Sequence, residues 1–318
     1  MLSIKKILFP TDFSRGANLA LLEALFLAEQ HQAELHFVHI VDPYDDPNNP
    51  THRFPTVQEL TALTKDLLSS ERLPAFAPEK LASVKLVTTF ERHLSVATAI
   101  LSYVERNDID LIVMGTHGRR GLRHLLLGSV TEEVVRFAPC PVFTVRDQKG
   151  PMTVRPIRRI LVPVDFSEHA RQALAHAKEL ASLYSAELQI LHVFEEVTHP
   201  AFYVSGKTSI FEFMPQIQTE ATKQIQQLLD EVVGNRYPAE IYLKEGHPAQ
   251  EIVNFVGDHG TDLIVIATHG LTGIEHFLLG SVTEKVVRMA ACPVFTVKGF
   301  GKSLVPGTFI ITASEDHT

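Results

Sequence analysis

In the first half of the chain, short apolar runs alternate with stretches of helical periodicity. The apolar runs predict β-strands at residues 7–9, 35–41, 84–88, 111–114 and 142–145. Apolar side chains three or four positions apart predict the intervening helices, which run through Leu19, Leu22, Phe26 and Leu27, through Leu60, Leu63 and Leu67, through Val96, Ile100 and Val104, and through Val130, Val134 and Phe137. Because strands that alternate with helices are typical of parallel sheets, the pattern predicts an α/β fold.

The same pattern occurs a second time along the chain. Residues 114–145 and 266–297 are identical at 22 of 32 aligned positions, and residues 5–14 align with residues 158–167 at an offset one residue larger. A repeat of this length predicts two domains of one fold. We place them at residues 1–146 and 158–298, with a linker at 147–157 and an unassigned tail at 299–318.

Composition and charge narrow the range of functions. The 318 residues carry a formal net charge of −8, and no block of five basic residues occurs, so we expect no nucleic-acid partner. Cys140 and Cys292 occupy equivalent positions and are expected to be small buried side chains. The N-terminus leads directly into a strand, and no apolar run approaches the ~18 residues of a membrane span, so we expect a cytoplasmic protein with no membrane partner.

The residues that carry chemistry follow the fourth strand. Gly115-x2-Gly118 is followed after nine residues by Gly128-Ser129 at the start of a helix. Glycines let a ligand approach the backbone, and the free N–H groups and dipole of a helix N-terminus favour an anion such as phosphate. The alternative is that Ser129 with Glu132, and Ser281 with Glu284, form capping boxes that need no ligand.

A second loop, Pro10-Thr11-Asp12, follows the first strand. If the first and fourth strands are neighbours, both loops meet at the topological switch point, where open parallel sheets bind ligands. The carboxylate of Asp12 suits a ribose hydroxyl or a base, and the glycine-rich loop suits phosphates.

These two loops, with Cys140-Pro141-Val142, closely resemble the universal stress protein family in its tandem form and its ATP-binding branch. The resemblance covers nearly the whole chain except the tail. It implies two tandem Rossmann-like, adenine-nucleotide alpha-hydrolase-like domains, each with a five-stranded parallel sheet of order 3-2-1-4-5 and helices on both faces. It also implies binding of ATP, ADP or AMP, with Mg²⁺, by a nucleotide-dependent stress-response regulator.

The resemblance also implies nucleotide-binding residues in both halves. In the first half, adenosine contacts are implied for Pro10, Thr11, Asp12 and Val41, and ribose or phosphate contacts for Gly115, Gly118, Arg119, Gly128, Ser129, Val130 and Thr131. In the second half, the matching residues are Pro163, Val164, Asp165, Gly270, Gly280, Ser281, Val282 and Thr283. No residue is assigned a catalytic or a metal-binding role.

The second half departs from this pattern where Ala267 replaces the first glycine. If that position needs a positive φ, or if the ligand packs on its backbone, alanine weakens the site. Charge differs as well, since Arg119, Arg120 and Arg123 correspond to Leu271, Thr272 and Glu275. We therefore expect phosphate to prefer the first half.

Four histidines repeat near these loops. His117 and His269 lie within the glycine-rich loops, where an imidazole could contact phosphate, although packing within the loop is the favoured interpretation. His39 and His192, inside the second strands, are expected to be core histidines with satisfied hydrogen bonds.

Three functions remain open from the sequence alone. A nucleotide-dependent binding module with an unknown protein partner is favoured. A slow ATP hydrolase or phosphate-transfer enzyme would lack a P-loop lysine, and a structural duplicate would have empty sites. The closing strands at 141–145 and 293–297 are expected to pair the halves as an intramolecular pseudo-dimer, and whole chains could form a homodimer.

Overall fold

The computed structural model describes residues 1–41, 56–69, 78–117, 127–147, 156–195, 209–234, 237–270 and 279–306. The chain divides into two compact units, residues 2–155 and residues 156–318, with Met1 grouped with the latter. We refer to them as the first half and the second half.

The first half contains one parallel sheet of order β3-β2-β1-β4-β5. Its strands are β1 (Lys6–Pro10), β2 (Glu34–Val41), β3 (Leu86–Arg92), β4 (Leu111–Gly115) and β5 (Val142–Val145). Its helices are α1 (Arg15–His31), α2 (Val57–Leu67), α3 (Pro78–Ser83), α4 (Val96–Asn107) and α5 (Ser129–Phe137). This is the strand order that the family resemblance implies.

The second half repeats this sheet in the order β8-β7-β6-β9-β10. Its strands are β6 (Arg159–Pro163), β7 (Glu187–Glu195), β8 (Ala239–Gly246), β9 (Leu263–Ala267) and β10 (Val294–Val297). Its helices are α6 (Glu168–Tyr184), α7 (Ile210–Phe213), α8 (Gln216–Val232), α9 (Pro248–His259) and α10 (Ser281–Met289).

The core of each half lies between the sheet and its helices. Phe9, Phe37 and Phe143 are fully buried in the first half, and Phe255 and Phe295 in the second. Both cysteines are buried, as predicted. None of the helices in the described ranges is long and apolar enough to cross a membrane.

Three predicted elements differ from the structure. In α5, the last position of the apolar pattern, Phe137, is 42% exposed. Strand β3 starts two residues later than predicted, because Val84 belongs to the turn after α3 and donates its N–H to Leu81 at 3.3 Å. In α2, Leu63 is 45% exposed and Thr64 is buried in its place. The hydroxyl of Thr64 donates to the Leu60 carbonyl at 2.9 Å, so its burial leaves no donor unsatisfied.

Corresponding helices of the two halves begin by different local chemistry. Ser95 caps α4 by accepting the N–H of Thr98 at 3.3 Å. The equivalent helix α9 has Pro248 at its first position and is preceded by Gly246 with a φ of 144°. The first half has Leu94-Ser95-Val96 in place of Gly246-His247-Pro248, and the serine cap keeps its helix start intact.

Candidate functional site

The carboxyl ends of β1 and β4 meet at one edge of the first sheet. The two strands are parallel neighbours, with Ile7 beside Leu111 and Leu8 beside Ile112, while β2 lies on the other side of β1. The strand order therefore reverses at β1 and β4, which is where open α/β sheets bind ligands. The strand ends from which the two loops start are adjacent, as predicted.

The loop after β1 holds its carboxylate in a fixed position. Asp12 Oδ1 accepts the N–H of Ser14 at 2.9 Å, and Thr11 Oγ1 accepts the N–H of Phe13 at 3.0 Å. Phe13 has a φ of 61°, a left-handed conformation that is uncommon for a bulky residue. Pro10 ends the strand, and the turn that follows presents Asp12 at the switch point.

The second half builds the same turn around Asp165. Its Oδ1 accepts the backbone N–H of Ser167 at 3.1 Å and the hydroxyl of Ser167 at 2.6 Å, and Phe166 has a φ of 64°. Val164 is buried, and Pro163 ends β6. Because both halves contain this turn, the left-handed conformation of its phenylalanine is a feature of the shared fold.

The end of β2 forms the predicted base-binding edge of the first half. Val41 is buried and lies in register with Arg92 at the end of β3. Nδ1 of His39 lies 2.7 Å from the carbonyl oxygen of Thr11, and the centroid of the His39 ring lies 5.0 Å from that of Phe13. His39 is thus a core histidine with a hydrogen-bonded ring, as predicted.

In the second half, aromatic side chains line the equivalent edge. His192 Nδ1 lies 2.8 Å from the Val164 carbonyl, and burial lowers the pKa of His192. Phe194 occupies the position of Val41, and its ring packs edge-on against Phe211 of α7 at 5.4 Å. Glu245, at the position of Arg92, accepts the N–H of Ile210 at 2.9 Å and so ties α7 to this edge.

Hydrogen bonds join the glycine-rich segment of the first half to the helix that follows. The N–H of Gly128 donates to the Thr116 carbonyl at 2.9 Å, and a β-carbon at Gly128 would lie 3.1 Å from that oxygen. The hydroxyl of Thr131 is buried and donates to the Gly115 carbonyl at 2.9 Å. The side chain of Thr131 therefore holds the loop in place, and only its backbone remains available for a ligand.

The matching contacts of the second half have nearly the same lengths. Gly280 donates to the Thr268 carbonyl at 2.8 Å, and Thr283 donates to the Ala267 carbonyl at 2.7 Å. Replacement of the first glycine by Ala267 therefore leaves this framework unchanged.

Helices α5 and α10 begin without a side-chain cap. Their N-cap residues are Gly128 and Gly280, and neither helix has a cap hydrogen bond from a side chain. The capping-box alternative is therefore wrong, since Ser129 and Ser281 are already the first helical residues. Glu132 and Glu284 instead pair with the arginines one turn later, Arg136 at 3.3 Å and Arg288 at 2.8 Å.

The predicted phosphate contacts lie at these uncapped ends. Ser129 and Ser281 are exposed, and Val130 and Val282 are partly exposed. In the second half, Gly270 packs against the loop after β6, because a β-carbon there would lie 2.5 Å from Asp165 Oδ2. Gly118 and Arg119 lie outside the described residues.

The loop histidines face their preceding threonines. Nδ1 of His117 lies 2.9 Å from Thr116 Oγ1, and Nδ1 of His269 lies 3.0 Å from Thr268 Oγ1. Nε2 of His117 is buried and makes no hydrogen bond within the described part of the chain. These contacts account for packing of the loop, which was the favoured interpretation.

Three residues near the site were missed by sequence reasoning. Gly16, His169 and Phe300 contact the glycine-rich segments, but none belongs to a recognisable motif. Comparison of the two repeats offers one signal, because Gly16 of the first half aligns with His169 of the second.

Relatives of one half and of most of the chain are known. A universal stress protein of Methanocaldococcus jannaschii is 32% identical over 153 residues, covering 44% of this chain and 94% of that protein. One from Mycobacterium tuberculosis is 28% identical over 223 residues, covering 65% of this chain and 70% of that protein. The crystal structure of a universal stress protein from Archaeoglobus fulgidus has a TM-score of 0.60 at 22% identity and covers 94% of this chain and 98% of its own, which shows the shared fold.

Each half is a doubly wound α/β domain of Rossmann type, with an aspartate loop and a glycine-rich loop at its switch point. The model of the Universal stress protein family matches the chain twice, at residues 3–146 and 156–298. The chain belongs to the universal stress protein family, in its tandem two-domain form.

Proposed function

We propose that the protein binds an adenine nucleotide, ATP, ADP or AMP, at the switch point of its first half and acts as a nucleotide-dependent regulator of the stress response in the cytoplasm. The observation that carries the proposal is the start of α5, where Gly128 provides no side-chain cap. Backbone N–H groups in the first turn of a helix favour anions, and a glycine N-cap lets a phosphate approach them closely.

The remaining site residues fit the other parts of a nucleotide. Asp12, fixed by Ser14, is a hydrogen-bond acceptor suited to ribose hydroxyls. Phe13, which is partly exposed and packs on His39, provides aromatic surface beside the end of β2, which suits a base. The exposed hydroxyl of Ser129 adds a donor next to the phosphate position.

Mg²⁺ would be held chiefly by the phosphate oxygens and water. The described residues contain no group of three or more histidine, cysteine or carboxylate side chains placed to hold a metal ion. A magnesium ion that keeps several waters and binds mainly to phosphates is common in nucleotide sites.

Mass spectrometry of the ligand released from the purified protein, followed by calorimetry with ATP, ADP and AMP, tests the proposal. We expect a bound adenine nucleotide and micromolar or tighter affinity. A protein that releases no nucleotide and binds none of the three would refute it. The protein partner, the pairing of the two halves and a homodimer stay predictions, and sedimentation of separately produced halves tests the pairing.

A further inference from the structure

Helix α1 of the first half begins with a basic residue. Arg15 is the first residue of α1, directly after the N-cap Ser14, and the first turn of this helix contains no acidic residue. A cation at this position faces the positive end of the helix dipole, which favours acidic side chains instead. Arg15 therefore weakens the start of the helix unless a negatively charged group lies beside it.

Asp147, just after β5, supplies a negative charge beside Arg15. Its Oδ1 lies 3.0 Å from Nε of Arg15, and the Arg15 and Asp147 side chains are 43% and 35% exposed. An ion pair with both partners this exposed contributes little stability, because water and salt screen the attraction. The pair thus positions the guanidinium of Arg15, and a more highly charged anion can displace the carboxylate.

This ion pair lies beside the glycine-rich segment of the first half. A β-carbon on Gly16, the residue after Arg15, would lie 2.9 Å from the carbonyl oxygen of His117 and 3.8 Å from the β-carbon of Asp147. Asp147 and His117 are therefore close neighbours across Gly16, and His117 directly precedes Gly118. The carboxylate that binds Arg15 thus lies where the chain enters the loop that the family resemblance assigns to phosphate.

The turn before α1 places Arg15 close to the ribose position as well. Asp12, which we assign to ribose hydroxyls, accepts the N–H of Ser14 at 2.9 Å, and Arg15 is the next residue along the chain. The backbone of Arg15 therefore follows the ribose-binding turn, while its guanidinium lies towards the glycine-rich segment. In a nucleotide, the phosphates extend from the ribose, so a cation between these two parts of the site suits them.

The second half has the opposite charge at this position. By the repeat alignment, Arg15 corresponds to Glu168 and Asp147 to Gly299. Glu168 is the first residue of α6, where an acid suits the helix dipole, and its carboxylate lies 3.2 Å from Nε of Arg171. The Arg15–Asp147 pair therefore has no counterpart in the second half, which presents a negative charge where the first half presents a positive one.

We propose that Arg15 is a phosphate-binding residue of the first half, and that a bound nucleotide takes its guanidinium from Asp147. A guanidinium binds phosphate oxygens through two parallel N–H groups, and a triphosphate carries more charge than one carboxylate, so the exchange favours the phosphate. This inference rests on the proposed function, since it names a further residue of the same site. Arg15 and Glu168 then account for a higher affinity of the first half for phosphates.

Calorimetry with ATP, AMP and adenosine on full-length variants tests the assignment. Arg15→Gln should lower ATP affinity by about tenfold, with a smaller loss for AMP and the smallest for adenosine, because the lost contact is with phosphate. Arg15→Lys keeps the charge and should lose less, whereas Arg15→Glu, which copies the second half, should lose more. Glu168→Gln is the matched control and should change the ATP affinity of the first half little. Equal losses for the three ligands in Arg15→Gln, or no loss for any, would overturn the proposal.

Asp147→Asn tests the exchange from the other side. It removes the carboxylate that competes with phosphate, so ATP affinity should rise severalfold while adenosine affinity stays unchanged. An unchanged or lower ATP affinity, in a variant that circular dichroism shows to be folded, would overturn the exchange. A wild-type protein that binds none of the three ligands would refute the proposed function and this inference with it, whereas equal ATP binding by the wild type and Arg15→Gln would overturn this inference alone.

Discussion

Gly115 at the end of β4 lies directly against Gly16 in the first turn of α1. A β-carbon on Gly115 would come within 2.8 Å of the Gly16 carbonyl carbon and 2.9 Å of its oxygen. Gly115 is not one of the described glycines that have a positive φ. The glycine is therefore required by close packing of helix on strand, and the first expected reason for the difference between Gly115 and Ala267, a positive φ, is wrong. A ligand packed on the backbone of Gly115 stays a prediction.

We predict that Gly115→Ala destabilises the first half by about 1–3 kcal/mol, the usual cost of overpacking a tight contact. Ala267→Gly is the matched control, and it should cost about 1 kcal/mol or less, because the second half already accommodates the methyl group. Urea denaturation of both full-length variants measures the change. Equal effects of the two substitutions would show that the contact with Gly16 has no special role.

Much of the fold could be predicted because it depends on repeated local patterns. Each buried strand is an apolar run, and the repeat shows the same pattern of elements in both halves. The edge strand β3 was placed less well, since its side chains are only partly buried and Thr88, Thr89 and Glu91 interrupt the apolar pattern. Thr64 replaces Leu63 in the core of α2 because its hydroxyl can bond to the helix itself, which apolar spacing does not reveal.

The candidate site was predictable in position and less so in the role of each residue. The adjacency of β1 and β4 follows from the strand order, so Asp12 and Gly128 were correctly brought to one edge. Ser129 was open to interpretation as a cap because its sequence fits a capping box, yet the N-cap lies one residue earlier, at Gly128. Contacts such as that of Phe300 with His269 join distant segments and leave no local signal.

Charge at the start of α5 should control nucleotide affinity. We predict that Ser129→Asp lowers ATP affinity by about tenfold or more, since a carboxylate competes with phosphate for the same helix N-terminus. Ser129→Asn is the control of similar size without the charge, and it should retain most of the affinity. Ser281→Asp, at the equivalent place in the second half, should have little effect. A larger loss in Ser281→Asp than in Ser129→Asp would reverse the assignment of the preferred half.

The buried hydroxyl of Thr131 should matter for stability of the loop. We predict that Thr131→Val costs about 1–3 kcal/mol, because the Gly115 carbonyl loses its donor in a partly buried position. Thr131→Ser keeps the hydroxyl and should recover most of the loss. Urea denaturation and ATP calorimetry on both variants check the result. If Thr131→Val loses affinity while its stability is unchanged, the side chain acts on the ligand and not on the loop.

Acid should weaken the second half through His176. Burial lowers the pKa of His176 to about 4, and its hydrogen bond to the Gln172 carbonyl and the nearby Glu179 carboxylate oppose this shift only partly. The centroid of the His176 ring lies 6.2 Å from that of Phe295. Its Nε2 accepts the Leu304 N–H and its Nδ1 contacts the Gln172 carbonyl, an arrangement that fits the neutral imidazole. The unfolded chain binds a proton near pH 6.5 and the folded one does not until about pH 4. The contribution of His176 is therefore complete above pH 6.5 and is lost as the pH falls towards 4.

We predict that this loss amounts to about 3 kcal/mol at most in the free energy of unfolding. His169 and His192 also have pKa values lowered by burial, so the comparison must be made with a variant that removes only His176. Urea denaturation of the wild type and of His176→Gln at several pH values between 7.5 and 4.5 measures the difference. The wild type should lose stability more steeply than the variant as the pH falls, because only its folded state excludes the additional proton. Parallel pH profiles would mean that His176 titrates alike in the folded and unfolded chains, and this would contradict the prediction made from its burial beneath Leu304.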